Sequence, residues 1–165
     1  MPFGLFGALA LGLFGLRGGF FHIIDVSLIC QINDREKSNH AGEQKHIGVV
    51  KGFDDHARSL QAGERLKNPS GASSICDALL SPVPGEITFT INSRRLAGGY
   101  VVSDEEVLRA MAYAFRTLKL VVEPGGAVSL AALLSGKISA KGRTIALVLS
   151  GGNVDPEQTA RALAL

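Results

Sequence analysis

The sequence predicts an α/β fold: a partial parallel sheet with flanking helices, preceded by an irregular N-terminal extension. Three observations carry this. Residues 144–149, TIALVL, form a continuous apolar run of strand length, the pattern of a central parallel strand covered on both faces. SGGN at 150–153 turns the chain directly after it, and Asp155 and Pro156 then open a helix with an N-cap and a proline at the first helical position. Upstream, Ser103, Asp104, Glu105 and Glu106 open an amphipathic helix. Helix, strand, glycine turn and helix in succession are what an α/β sheet requires.

The elements divide the chain into three regions. Residues 1–16 carry no charged side chain, and Arg17 then interrupts the run. It falls short of the ~18 to 20 residues of a bilayer span. Nor does it have the basic start and small-residue cleavage site of a signal peptide. Gly4, Gly7, Gly12 and Gly15 would weaken a helix there. Residues 1–32 are therefore expected to be an apolar, glycine-rich, irregular segment, with membrane association through 1–24 as the alternative. Residues 33–48, NDREKSNHAGEQKHIG, lack apolar periodicity and read as a polar linker. His40 and His46 have no neighbouring cysteine or carboxylate cluster that would make them a metal site.

From residue 49 regular elements follow one another. HARSLQA at 56–62 is expected to be a short helix, capped by Asp54 or Asp55 and stopped by Gly63. Pro82 and Pro84 bar a helix from the segment around them. Residues 87–91, ITFTI, alternate apolar and hydroxyl side chains and are expected to be a short strand. In the helix after Ser103, Glu106 completes a capping box and Val102 can staple onto Val107. Val107, Leu108, Met111, Ala112, Phe115 and Leu118 share its apolar face, and Lys119 sits near its end. Residues 127–135, small and apolar all round, predict a buried helix stopped by Gly136. The last helix begins at Pro156, with Gln158 in the capping-box position.

Composition bounds the function. The 165 residues, 46% hydrophobic and 19% charged, fit one domain with a tail. A net charge of +2, with both signs mixed along the chain, gives no basic stripe for nucleic acid. Cys30 and Cys76 fit neither a zinc spacing nor a disulfide framework, and reduced thiols in a cytoplasmic protein are expected. The sharpest chemical feature is Ser150. In open α/β sheets, ligands bind beyond the carboxyl ends of strands, and this hydroxyl follows one immediately. For SGGN taken alone an ordinary strand-to-helix turn is the better explanation, since it is neither a Walker A loop nor a nucleophile elbow.

VVSDEEVLRAMAYAFRTLKLVVEPGGAVSLAALLSGK followed by TIALVLSGGNVD resembles the C-terminal part of the threonine and serine dehydratases and of serine racemase, pyridoxal-phosphate enzymes of the tryptophan-synthase-β-like fold. GFDDHARSLQAG and SGASSICDALLSPVPGEITF extend the resemblance, which runs from about residue 49 to 155 and not into 1–48. It implies that Ser150 hydrogen-bonds the pyridine nitrogen of pyridoxal phosphate and that Gly151 and Gly152 let the ring approach the backbone. Glu123 would lie near the ring, with helix capping as its competing role. A divalent cation, held in several relatives near 49–55, would take the Phe53 carbonyl and the Asp55 carboxylate. Val49 stands where those relatives have glutamate.

The family's Schiff-base lysine lies in its N-terminal half, and none of Lys37, Lys45, Lys51, Lys67, Lys119, Lys137 and Lys141 has its context. The phosphate-cradling glycine loop has no counterpart either. The resemblance therefore implies the C-terminal piece of an enzyme dehydrating L-threonine or L-serine to the 2-oxo acid and ammonia, truncated and inactive alone. The alternative is a non-catalytic remnant that forms a homodimer or pairs with a full-length paralogue.

Overall fold

The computed structural model describes residues 29–34 and 44–165. Among these residues four strands, β1 (Ile29–Asp34), β2 (Gln44–Val50), β3 (Gly98–Val102) and β4 (Arg143–Leu147), form one sheet in the order β3-β2-β1-β4. β2 and β3 are parallel, His46 opposite Gly98 and Val50 opposite Val102. β1 runs antiparallel to both β2 and β4.

This corrects three expectations. The 33–48 region is not a linker throughout, because 44–48 begin β2, where Ile47 is fully buried. The end of the N-terminal segment, from Ile29, is strand β1. Residues 144–149 do not make a central parallel strand: β4 lies at the sheet edge, antiparallel to β1, and ends at Leu147. Ile145, Leu147 and Leu149 pack against the core, whereas Ala146 and Val148 on the other side are exposed. An apolar run announces two faces fit for burial, and here one of them is bare. The expectations for 1–28, for Lys37 and for His40 lie outside the described residues. Among the described residues no helix is long and apolar enough to cross a membrane.

The β2–β3 pair is covered on both sides, as period-two alternation requires. Ile47 and Val49 pack with Ala57 of α1 (Asp55–Ala62). Gly48 and Val50 face α4 (Val128–Leu134), so closely that a Cβ on Gly48 would come within 2.8 Å of Val128 Cγ1. α3 (Asp104–Tyr113) packs on α4 and on α5 (Pro156–Leu163). The capping box forms as expected: Glu106 N–H donates to Ser103 Oγ, and Ser103 N–H to Glu106 Oε2. A π-helical turn (Ala114–Leu118) extends α3 to Lys119, whose ammonium donates to the Arg116 carbonyl. Asp155 caps α5 through the Glu157 N–H at 2.7 Å, but Gln158 accepts from Arg161 rather than closing a capping box.

The strand expected at 87–91 is instead part of α2 (Glu86–Arg95). Phe89 is its buried anchor, set edge-on to the His56 ring, while Ile87 is 78% exposed. Glu86 in the first turn and Arg94 and Arg95 in the last complement the helix dipole. Those end charges and one tertiary anchor outweigh a five-residue β pattern. α1 does stop at Gly63, which is left-handed (φ 75°). Its cap is remote, however. The Asp55 N–H donates to Asn68 Oδ1 at 2.9 Å, and Asp54 pairs with Arg58 instead of capping.

Candidate functional site

Beyond Leu147 the chain leaves the ladder and reaches Ser150 in three residues. Free of sheet pairing, this exit needs other partners for its carbonyls, and residues 123–129 supply them. The Glu123 N–H donates to the Gly151 carbonyl at 3.1 Å. Ser129, on buried α4, donates its hydroxyl to the Val148 carbonyl at 2.9 Å. The Ser150 carbonyl lies directly over Gly126, where a Cβ would come within 1.6 Å of its oxygen. No side chain can replace hydrogen there without moving one backbone away from the other.

Gly151 is required twice over. Its φ of +71° is left-handed, and a Cβ on it would stand 2.1 Å from Glu123 Cδ. The Glu123 carboxylate thus lies against the turn. It makes no cap to the helical turn that follows, which has no side-chain cap bond. Of the two roles open to Glu123 in the sequence, the capping one is not taken. Gly152 is exposed, and a Cβ there would approach the Val121 carbonyl at 3.2 Å. Ser150 is half-buried, and among the described residues neither its hydroxyl nor the Glu123 carboxylate has a hydrogen-bond partner. The structure therefore brings Ser150, Gly151, Gly152 and Glu123 together: two uncommitted polar groups beside backbone stripped of side chains.

These groups fit one end of a flat heteroaromatic cofactor. A ring can lie against glycine backbone, with a hydroxyl at its edge available to a ring nitrogen. The covalent and anionic ends have no such match. Lys137 pairs with Glu106, Lys119 with the Arg116 carbonyl, and among the described residues no lysine hydrogen-bonds to the turn. Two residues of this arrangement, Gly126 and Ser129, escape sequence reading. Their only signals are the adjacent glycines of EPGG and the one hydroxyl in an otherwise apolar helix.

The suggested cation residues lie elsewhere. Phe53 donates its N–H to the Val50 carbonyl, and the Asp55 carboxylate, nearly buried, accepts from Asn68 Nδ2 at 2.8 Å. Val49 points its apolar side chain into the α1 cluster, and no group of three or more His, Cys, Asp or Glu residues is placed to hold a metal among the described residues. Cys76 is a free, buried thiol, pushed up to about 12 by burial, which makes it unreactive.

Residues 35–151 match the sequence profile of the family described as pyridoxal-phosphate dependent enzyme. The chain is similar to a serine racemase of Dictyostelium discoideum, 35% identical over 115 residues, covering 68% of this chain and 35% of the relative. It is similar also to an L-threonine ammonia-lyase of Thermotoga maritima, 33% identical over 114 residues, covering 68% of this chain and 28% of that one. Among solved structures, a T.th. threonine deaminase superposes with a TM-score of 0.56 at 36% identity, over 65% of this chain and 36% of the other. Maize serine racemase does so at 0.59 and 29%, over 72% and 37%. The chain spans about a third of the length of these proteins.

Proposed function

The chain belongs to the family of pyridoxal-phosphate-dependent enzymes, and from that membership we propose that its Ser150 turn is the part of the site that receives the pyridine ring. The parent reaction is dehydration of L-threonine or L-serine to the 2-oxo acid and ammonia. The observation that carries this reading is the Ser150 hydroxyl at the exit of β4, without a hydrogen-bond partner among the described residues, beside Glu123 and above a floor of glycine backbone.

When bound, the cofactor supplies an electron sink for the α-carbon of the amino acid. Ser150 donates a hydrogen bond to the ring nitrogen and keeps its own proton, because a hydroxyl is far too weak an acid to give it up. A neutral donor at that position would leave a bound ring nitrogen without a proton, and a site of that kind would suit loss of the β-hydroxyl. Gly151 and Gly152 let the ring reach the backbone, and Glu123 fixes the polarity of the turn. Racemisation is the second reading, favoured by the similarity to serine racemases. Phe53 and Asp55 supply too few oxygens to hold a divalent cation tightly without a third ligand.

None of the described lysines hydrogen-bonds to the turn or stands in the sequence context of the family's Schiff-base lysine, and on that ground the chain by itself is expected not to turn over amino acids. The bare apolar side of β4, with Val148 45% exposed, suits pairing with a full-length member of the family that supplies the rest of the site.

Two measurements test this. Dialysis against pyridoxal phosphate should show saturable uptake, weakened about tenfold or more in Ser150→Ala; equal uptake by both chains would remove the assignment. Borohydride trapping followed by intact mass should give no adduct or diffuse lysine labelling. One adduct at one lysine, competed by serine or threonine, would overturn the expected inactivity.

A further inference from the structure

We infer that Ser129 is a positioning residue for this site: its hydroxyl holds the exit of β4 and so sets the heading of Ser150. The inference rests on the cofactor reading above. Ser129 is 1% exposed and is the only polar side chain of α4, VSLAALL. An alanine would suit that helix better, having the higher helix propensity and no hydroxyl to desolvate. The hydroxyl nevertheless has one partner, the Val148 carbonyl at 2.9 Å.

The position of that carbonyl gives the bond its consequence. The β1–β4 register runs from Asp34 opposite Arg143 to Cys30 opposite Leu147 and stops there. Val148 is the first residue past the ladder and stands two residues before Ser150. Without Ser129, the next restraints on the exit are the contact of the Ser150 carbonyl with Gly126 and the bond from the Glu123 N–H to the Gly151 carbonyl. Both act at or after Ser150. On the approach side Leu149 packs its side chain against the core, while Ser129 alone among these hydrogen bonds fixes the backbone there, so the heading of the backbone through residues 148–150 depends on it. It touches no ligand and acts only through the backbone.

The test uses the full chain and 4′-deoxypyridoxine phosphate labelled with nitrogen-15 in the ring, a probe that has no aldehyde and therefore needs no lysine. Ring-nitrogen resonance and affinity are read together. Ser150→Ala should remove the displacement of the resonance seen on binding to the wild-type chain. Ser129→Ala should move it most of the way to the Ser150→Ala position and weaken binding about tenfold. Ser129→Thr, which keeps the hydroxyl, should return both readings toward wild type. Ser135→Ala, at the end of the same helix, should change neither.

If Ser129→Ala melts earlier but keeps the wild-type resonance and affinity, the hydroxyl only satisfies a carbonyl; the inference is then overturned while the cofactor reading stands. If the wild-type chain shows no saturable binding, the cofactor reading fails and the inference with it. Should Ser129→Ala not fold, Ser129→Cys, a weaker donor of similar size, is read in the same way. An intermediate resonance supports the inference, and an unchanged one overturns it.

Discussion

The α3–α4 pair and the exit of β4 touch each other, yet they are held in opposite ways. α3 carries its own start, with Ser103 and Glu106 closing the first turn reciprocally, and it buries Val107, Ala110 and Met111 against α4. The restraints there are the capped first turn, polar contacts to it from Lys137, Ser74 and the Ile75 N–H, and a buried interface of apolar side chains. The exit of β4 has almost nothing of its own. It is exposed along one side, it runs past its ladder, and its geometry is imposed by a glycine, a backbone N–H and a serine of a neighbouring segment. A site built on borrowed restraints can be displaced without unfolding the helices beside it, whereas the helix pair fails only by losing its core.

The sharpest way to break this comparison is Gly126→Ala. Its methyl would occupy the position of the Ser150 carbonyl, so a loss of about 3 kcal/mol in urea unfolding is expected, together with collapse of the exit. A loss below about 1 kcal/mol would show that the two backbones separate freely. Val107→Ala, in the fully buried core of α3, should cost about 2 kcal/mol while amide exchange at Gly151 stays unchanged. Faster exchange at Gly151 would mean that the two regions are not separable. Ser103→Ala should cost about 1 kcal/mol through loss of the capping box.

Acid provides a gentler probe. Burial pushes the Glu106 carboxyl up, but the hydrogen bond from Lys137 and that from the Ser103 N–H outweigh it, and the group is held below its usual range. Its contribution is therefore full above the ordinary glutamate value and is lost as pH falls through the lowered one. Stability of α3 should drop in that acid window, and Lys137→Met should flatten the dependence. The smallest effect is at Ala146, exposed on edge strand β4. Ala146→Lys should shift stability by no more than about 0.5 kcal/mol. It should also suppress aggregation of the chain, because a lysine on an open edge deters strand addition. An unchanged aggregation rate by light scattering would place the sticky surface elsewhere.

What could be read in advance follows the same division. The capping box at Ser103, the proline-led start of α5, the glycine stops after α1 and α4, and the burial of α4 are local chemistry, and all are present. The exposure of β4 was not legible, because an apolar run records which faces are suited to burial and not whether anything covers them. ITFTI misled for a related reason: Thr and Ile are admissible in a helix once Phe89 is anchored and the ends are charged correctly. β3, with its two leading glycines, offered too weak a pattern to be seen at all. At the site, the Ser150–Gly151–Gly152 turn stood out as a strand exit and Glu123 through resemblance, and the four are neighbours in the structure. Gly126 and Ser129 were not legible, because what they do depends on a strand exit that reaches them from about twenty residues away.

The sheet order also sets a timetable for synthesis. β1 and β2 emerge from the ribosome early, but β3, the parallel neighbour of β2, follows about fifty residues later, and β4, the partner of β1, about a hundred and ten residues after β1. At translation speeds of roughly 5 to 20 residues per second, the first strands wait for seconds before either flank is closed. α3 and α4, whose contacts are local, emerge after β3 and can assemble before β4 closes the second flank. The turn bearing Ser150 is thus among the last features to take shape, and a chaperone that shields early strands would act before any part of it exists.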